Sequence, residues 1–357
     1  MKWFLGVAAS CAMALAALSG ATMNLHAGGS PQRADPAAAT GPDPTIYKHV
    51  SHLGWVVRDL DTVVSAWRAL GVTDIRDGGV QEFPGVVYRG KTITARVRKA
   101  FARFDNGTIQ WIQPLNEGTA YADFLAAHGE GVQHVAFSVP TEARMDEELA
   151  RYKGLGVGVL ASGTWKGAAG TGRFAYLDTA PEGGGVSVEL EFNPDVAPAT
   201  GTSTNTDPFT RITQYAFVVR DVHKVSAYYE RIGLGALPIN RNVSLNRVYR
   251  GRPGTFEMLL GWGRKTDVVF EWIQSLAGPN VYEEQLKNHG EGFHHLGFNV
   301  TDIDATIARL RSRGLDVTMS GGWDENGYAG RFAYLDADKH GGVTIELLWN
   351  KPRADGK

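Results

Sequence analysis

The sequence predicts an α+β fold made of four copies of one βαβββ module, grouped into two tandem domains over 45–193 and 209–352. Three observations predict it. Long stretches of the chain repeat one another at a nearly constant offset. Segments with apolar residues at helical spacing follow an Asp and end at a Gly. The rest alternates apolar and polar residues between Gly-containing turns, which is hairpin chemistry.

The chain opens on Lys2, an apolar run from Trp3 to Leu18 and the small residues Ser19-Gly20-Ala21. Residues 1–27 therefore read as a secretory signal peptide, cut after Ala21 or Ala27. Cys11 is the only cysteine and leaves with it, so disulfides and thiolate ligands are excluded from the mature chain. A lipoprotein cut before Cys11 is the weaker alternative, because the apolar run ahead of it is short. A retained membrane anchor is disfavoured too, since about 20 apolar residues are needed to span a bilayer. The expected location is periplasmic or secreted, with no membrane span after cleavage. Residues 28–44, rich in Gly, Ala, Pro and Asp, read as a flexible spacer, and 194–208 as a linker. A net charge of -2 offers no basic surface for nucleic acid, and 43% hydrophobic content suits a soluble globular chain.

The first module begins at SHLGWVVRDLDTVVSAWRALG from Ser51, where Asp59 caps a helix with Leu60, Val63, Val64, Trp67 and Leu70 on one face and Gly71 at its end. TQYAFVVRDVHKVSAYYERIG at Thr213 answers it. HGEGVQHVAFSV at His128 is answered by HGEGFHHLGFNV at His289, and RFAYLD occurs at both Arg173 and Arg331. In the last module Asp302 caps a helix carrying Ile303, Ile307 and Leu310 and ending at Gly314. Duplication is the economical account of these repeats.

Certain polar residues interrupt otherwise apolar strands. His52, Gln110, His134 and Glu189 do so in the first repeat, and Gln214, Glu271, His295 and Glu346 in the second. The offset is 161 residues from Gln110 to Glu271 and from His134 to His295, 162 from His52 to Gln214 and 157 from Glu189 to Glu346. By alternation each lies opposite its apolar neighbours. Gly54, Ala136, Ala216 and Gly297, two residues on, leave room on the same face for a ligand. Burying imidazoles, an amide and a carboxylate without partners costs several kcal/mol, which a divalent cation offsets. The donor types suit Zn, Co, Ni, Mn or Fe(II).

At these residues the chain resembles the vicinal oxygen chelate superfamily of glyoxalases, bleomycin-resistance proteins and extradiol dioxygenases, from Ile46 to Trp349. YADFLAAHGEGVQHVAFSV and GGGVSVELEF look like methylmalonyl-CoA epimerases, whose His, Gln, His, Glu set falls here on His52, Gln110, His134 and Glu189. The second set is similar to that of glyoxalase I. The resemblance implies a curved mixed sheet around a cleft in each domain and a substrate chelated through adjacent oxygens. It further implies a metal-stabilised enolate and a carboxylate that moves a proton. Glu346, and likewise Glu189, become candidate bases. The epimerases' catalytic glutamate falls at Thr94, with Glu82 nearby, while Glu257 stands near that place in the second repeat.

Arg173 and Arg331, after Gly-rich loops holding Trp165 or Trp323, read either as anion-binding residues or as residues closing a turn. Tyr88-Arg89-Gly90 and Tyr249-Arg250-Gly251 read as structural, and His294 as packing on the opposite face from His295. The expected function is an exported metal-dependent isomerase, epimerase or lyase acting on a small vicinal-oxygen substrate. An Fe(II) extradiol-type dioxygenase and a non-catalytic small-molecule binding protein are the alternatives. Acyl-CoA is absent outside the cytoplasm, so the epimerase's substrate does not carry over.

Overall fold

The computed structural model describes residues 41–195, 201–325 and 328–351; the expected signal peptide, Cys11 and most of the spacer lie outside the described residues. The first module runs β1 (His52–Val56), α1 (Leu60–Leu70), β2 (Ile75–Tyr88), β3 (Lys91–Phe104) and β4 (Gly107–Pro114). A connecting helix α2 (Ala120–His128) leads to the second: β5 (Gly131–Ser138), α3 (Glu142–Gly154), β6 (Val159–Lys166), β7 (Thr171–Leu177) and β8 (Ser187–Phe192). The third has β9 (Gln214–Val218), α4 (Val222–Arg231), three short strands β10 (Ile239–Asn242), β11 (Leu245–Tyr249) and β12 (Arg252–Pro253), then β13 (Glu257–Arg264) and β14 (Val269–Ala277). After α5 (Val281–Asn288) come β15 (Gly292–Asn299), α6 (Ile303–Arg311), β16 (Val317–Glu325), β17 (Tyr328–Leu335) and β18 (Thr344–Asn350).

The module helices form where the apolar stripe and the caps agree. The Asp59 carboxylate accepts from the backbone N–H groups of Asp61 and Thr62, Gly71 takes φ 116°, and the buried residues of α1 are Leu60, Val63, Val64, Trp67 and Leu70. In the paired turns Arg89-Gly90 and Arg250-Gly251 all four residues have positive φ, as a two-residue type I′ hairpin requires. The YRG motifs are thus turns.

In the first domain the strands close into a barrel in the order β1-β4-β3-β2-β6-β7-β8-β5. Closure rests on the end of β2, where Val87 and Tyr88 pair with Ser162 and Ala161 of β6. The second domain is a ten-stranded sheet, β10-β13-β14-β9-β15-β18-β17-β16-β11-β12. The single long β2 corresponds there to β10 and β11, each paired to a different neighbour. The two domains therefore depart from the equality that the repeat suggests.

Nor is the linker free where it is described. The side-chain oxygen of Asn205 accepts from the N–H groups of Thr73 and Asp74, and just beyond the linker Phe209 is fully buried. Helices pack on the outer faces. The inner faces are lined by Val56, Val97, Ile112 and Tyr176 in the first domain, and by Val218, Met258, Leu260 and Tyr334 in the second. Among the described residues no helix is long and apolar enough to cross a membrane.

Candidate metal centre

Strand register brings the expected donors together in cross-strand pairs. Gly54 on β1 has Gln110 of β4 on one side and His134 of β5 on the other. Ala136 on β5 lies between His52 of β1 and Glu189 of β8. Each pair of donors thus faces inward across one small residue. The arrangement is two-by-two, because β1 and β4 of the first module correspond to β5 and β8 of the second. Gly54 makes room for a donor rather than for a bound molecule: a Cβ there would lie 1.8 Å from Cε1 of the His134 ring.

His52, His134 and Glu189 are buried, and their donor atoms all lie within 4.8 Å of one another. Nε2 of His52 is 3.1 Å and Nε2 of His134 3.0 Å from Oε2 of Glu189. Yet among the described residues His134 Nε2 and Glu189 Oε2 have no hydrogen-bond partner. The reason is on the other side of the ring, where His134 Nδ1 lies 2.6 Å from the amide oxygen of Gln133. An amide oxygen accepts, so the proton sits on Nδ1 and Nε2 turns a lone pair toward a carboxylate. Two acceptors facing each other call for a cation between them. Metal–donor bonds of about 2.0 to 2.2 Å at right angles place neighbouring donors about 3 Å apart, as each imidazole is from Glu189 here. The residues present therefore fit a divalent ion.

Burial opposes the imidazolium of His52, but Glu189 and then Glu191 outweigh it, and its pKa lies above the ordinary histidine value. For His134 burial dominates and the pKa falls. Burial also opposes the charge of Glu189, yet His134 and His52 hold that carboxyl well below the usual carboxylate range.

Gln133 owes its position to a bulge. The register of β1 against β5 steps from Gly54↔His134 to Trp55↔Val132, so Gln133 is the extra residue. The same step in β15, from Phe293↔Phe217 to His295↔Ala216, makes His294 the extra residue there. His294 does not lie on the face away from His295, as strict alternation implies. Its Nδ1 is 2.9 Å from Nδ1 of His295, and its ring packs on Tyr282 and Tyr334.

In the second domain Gln214 and Glu346 flank Gly297, while Glu271 and His295 flank Ala216. His295 Nε2 is 3.2 Å from Glu346 Oε2, and among the described residues neither atom has a hydrogen-bond partner. Glu271 Oε2 is 3.8 Å from the same nitrogen and accepts from the amide nitrogen of Gln214 at 2.5 Å. With one imidazole and an amide already engaged, this is a looser donor set.

The profile of the Glyoxalase/Bleomycin resistance protein/Dioxygenase superfamily matches residues 51–176 and again 213–334. The chain belongs to this superfamily. No curated protein sequence matches it. Among solved structures, a triple mutant of 4-hydroxymandelate synthase from Streptomyces coelicolor superposes with a TM-score of 0.56 at 16% identity, over 85% of this chain and 93% of that one. A methylmalonyl-CoA epimerase with methylmalonyl-CoA and NH4+ bound aligns at 24% identity over 43% of this chain and 99% of its own, with a TM-score of 0.32. The first likeness bears out the fold. The superfamily is metal-dependent, and the buried His52, His134 and Glu189 could hold a metal.

Other expected residues of this superfamily member lie elsewhere. Arg173 pairs with Asp146 at 2.9 Å, and Arg331 grips Asp304 with two bonds of 2.8 and 2.9 Å. Both arginines hold a helix, α3 or α6, to the outer face of the sheet. They neither face the donors nor close a turn, since Tyr176 and Tyr334 take the inward positions of those strands. Glu257 alternates with the inward Met258 and is paired with Arg241, far along β13 from Trp262, the residue opposite Glu271. Thr94 and Glu82 are exposed. Three side chains near the donors escaped the sequence reading. They are Gln133; Glu191, whose Oε2 is 3.7 Å from His52 Nδ1 and whose pKa burial raises; and Lys99, buried on β3.

Proposed function

We propose that the chain is an exported, divalent-metal-dependent isomerase, epimerase or lyase of the glyoxalase type, acting on a small substrate through two adjacent oxygens. The working centre is in the first domain. The observation that carries this reading is the four-donor set His52, Gln110, His134 and Glu189 in two cross-strand pairs, with His134 Nε2 and Glu189 Oε2 buried and unbonded. Four donors would leave a six-coordinate ion two further places, the number that a vicinal pair of oxygens fills.

A divalent cation held there supplies positive charge for an oxygen that becomes anionic during the reaction. Glu189 and Glu191, on the same face of β8, move the proton at the carbon next to the carbonyl. Tyr176, stacked on His134 at 4.6 Å and hydrogen-bonded to Tyr121, fixes the ring and keeps the surroundings dry. Export rests on residues 1–27 and puts the reaction in the periplasm or outside the cell.

The test is deuterium uptake from heavy water next to the carbonyl of hydroxy-ketones and 2-oxo acids, on protein loaded with Mn, Co, Ni or Zn. Uptake by the wild type that disappears in Glu189→Gln is expected. No uptake with any metal or substrate removes the proposal. One observation favours a second reading, an Fe(II) dioxygenase: the tightest donor cluster is two imidazoles and one carboxylate. Oxygen consumption by anaerobically iron-loaded protein given catechols decides for it, and its absence decides against.

A further inference from the structure

The inner face of the first domain holds a cation that the proton-transfer scheme does not use. Lys99 is only 8% exposed. It stands on β3 opposite Ile112, two positions from Phe101, the partner of Gln110, so its side chain shares the donors' face. Among the described residues its ammonium has no hydrogen bond and no carboxylate within 4.0 Å. It lies over the ring of Phe83, 5.0 Å from the centroid. An ammonium is rarely buried unpaired, because its desolvation costs several kcal/mol. Burial lowers the Lys99 pKa and the fields of Glu189 and Glu191 oppose that, while the ammonium acts in turn on His52 and His134.

The second domain shows that the fold does not require this charge. At the equivalent register, opposite Ile273, stands Leu260; the place of Glu191 is taken by Leu348. The cation accompanies the two-imidazole site. With a divalent ion on the donors, two carboxylates and one ammonium leave that interior with at least one net positive charge, which a monoanion cancels.

We propose that Lys99 anchors the carboxylate of the substrate, so that the first site takes small 2-oxo or 2-hydroxy acids in preference to neutral ketones or diols. This rests on the reading of the first domain as the working centre. Binding is measured by calorimetric titration of the full mature chain with pyruvate and with hydroxyacetone, its neutral counterpart, with metal loaded and with metal stripped. The wild type is expected to bind pyruvate at least about tenfold more tightly.

Lys99→Met and Lys99→Gln lose that preference, and Lys99→Arg keeps most of it. The ratio of two affinities within one variant is unmoved by a merely structural role. A wild type without preference, or Met and Gln variants that retain it, overturns the assignment. Elemental analysis of the same samples separates the two ideas. Preference without bound ion sinks the metal reading and leaves this one standing; bound ion without preference does the reverse.

Discussion

His134 can turn its Nε2 toward Glu189 because β1 carries no side chain at position 54. Gly54→Ala puts a methyl where the imidazole lies, its Cβ 1.8 Å from Cε1 and 1.9 Å from Nε2 of His134, so the ring has to leave its place. The variant is expected to lose the ion of the first site and about 1–3 kcal/mol of stability, as overpacked interiors do, read by elemental analysis and urea unfolding. An unchanged metal content would mean that His134 is no ligand. Gln133→Ala is milder. It frees the Nδ1 proton, so metal affinity falls by about tenfold or more with the fold intact, measured by competition with a chelator. The inward polar residues proposed as donors were legible, since polar residues at inward positions of apolar strands contradict the pattern around them. Gln133 and His294 were not, because a bulge shifts the parity on which such reasoning relies. Lys99 was hidden for another reason: a lysine in an alternating strand ordinarily points to solvent.

Helices were legible where stripe and caps coincide, as in α1. By contrast α2 escaped, since only Ala120 and Tyr121 of it are buried and no stripe develops. The splitting of the long β2 into β10 and β11 also leaves no mark in a repeat judged by its matching segments. Removing the cap with Asp59→Ala is expected to cost about 1 kcal/mol, seen as a lower urea midpoint with unchanged slope. The arginines after the Gly-rich loops now belong to helix packing. Arg331→Ala opens an exposed bidentate pair with Asp304 and is expected to cost no more than about 1 kcal/mol. Binding of small carboxylates at either site stays as it was. A rise in KM without loss of stability would restore the anion-binding reading of Arg331.

At the scale of the molecule, the two domains share one core and one seam. Trp67, Phe209 and Phe298 form a chain of ring contacts, 6.0 and 5.0 Å between centroids, that runs from α1 through the first residue of the second domain into β15. Across the seam the twin HGEG motifs exchange equivalent bonds: His128 Nδ1 meets the carbonyl of His289 at 2.9 Å, and His289 Nδ1 that of His128 at 2.8 Å. The indole N–H groups of Trp55 and Trp67 donate to the carbonyls of Gly341 and His340 in the other domain. A folded first domain beside an unfolded second would expose those rings to water and trade the cross-seam hydrogen bonds for bonds to solvent, at a cost of several kcal/mol. One calorimetric transition is therefore expected for the chain, and two resolved transitions would refute a shared core. Gly342 tests the seam itself. It sits at φ 76°, and a Cβ there would come within 2.0 Å of the Glu130 carbonyl, a backbone atom that cannot swing aside. Gly342→Ala is expected to lower the single transition by several degrees, about 2 kcal/mol or more, and to do so even though no proposed metal donor is touched.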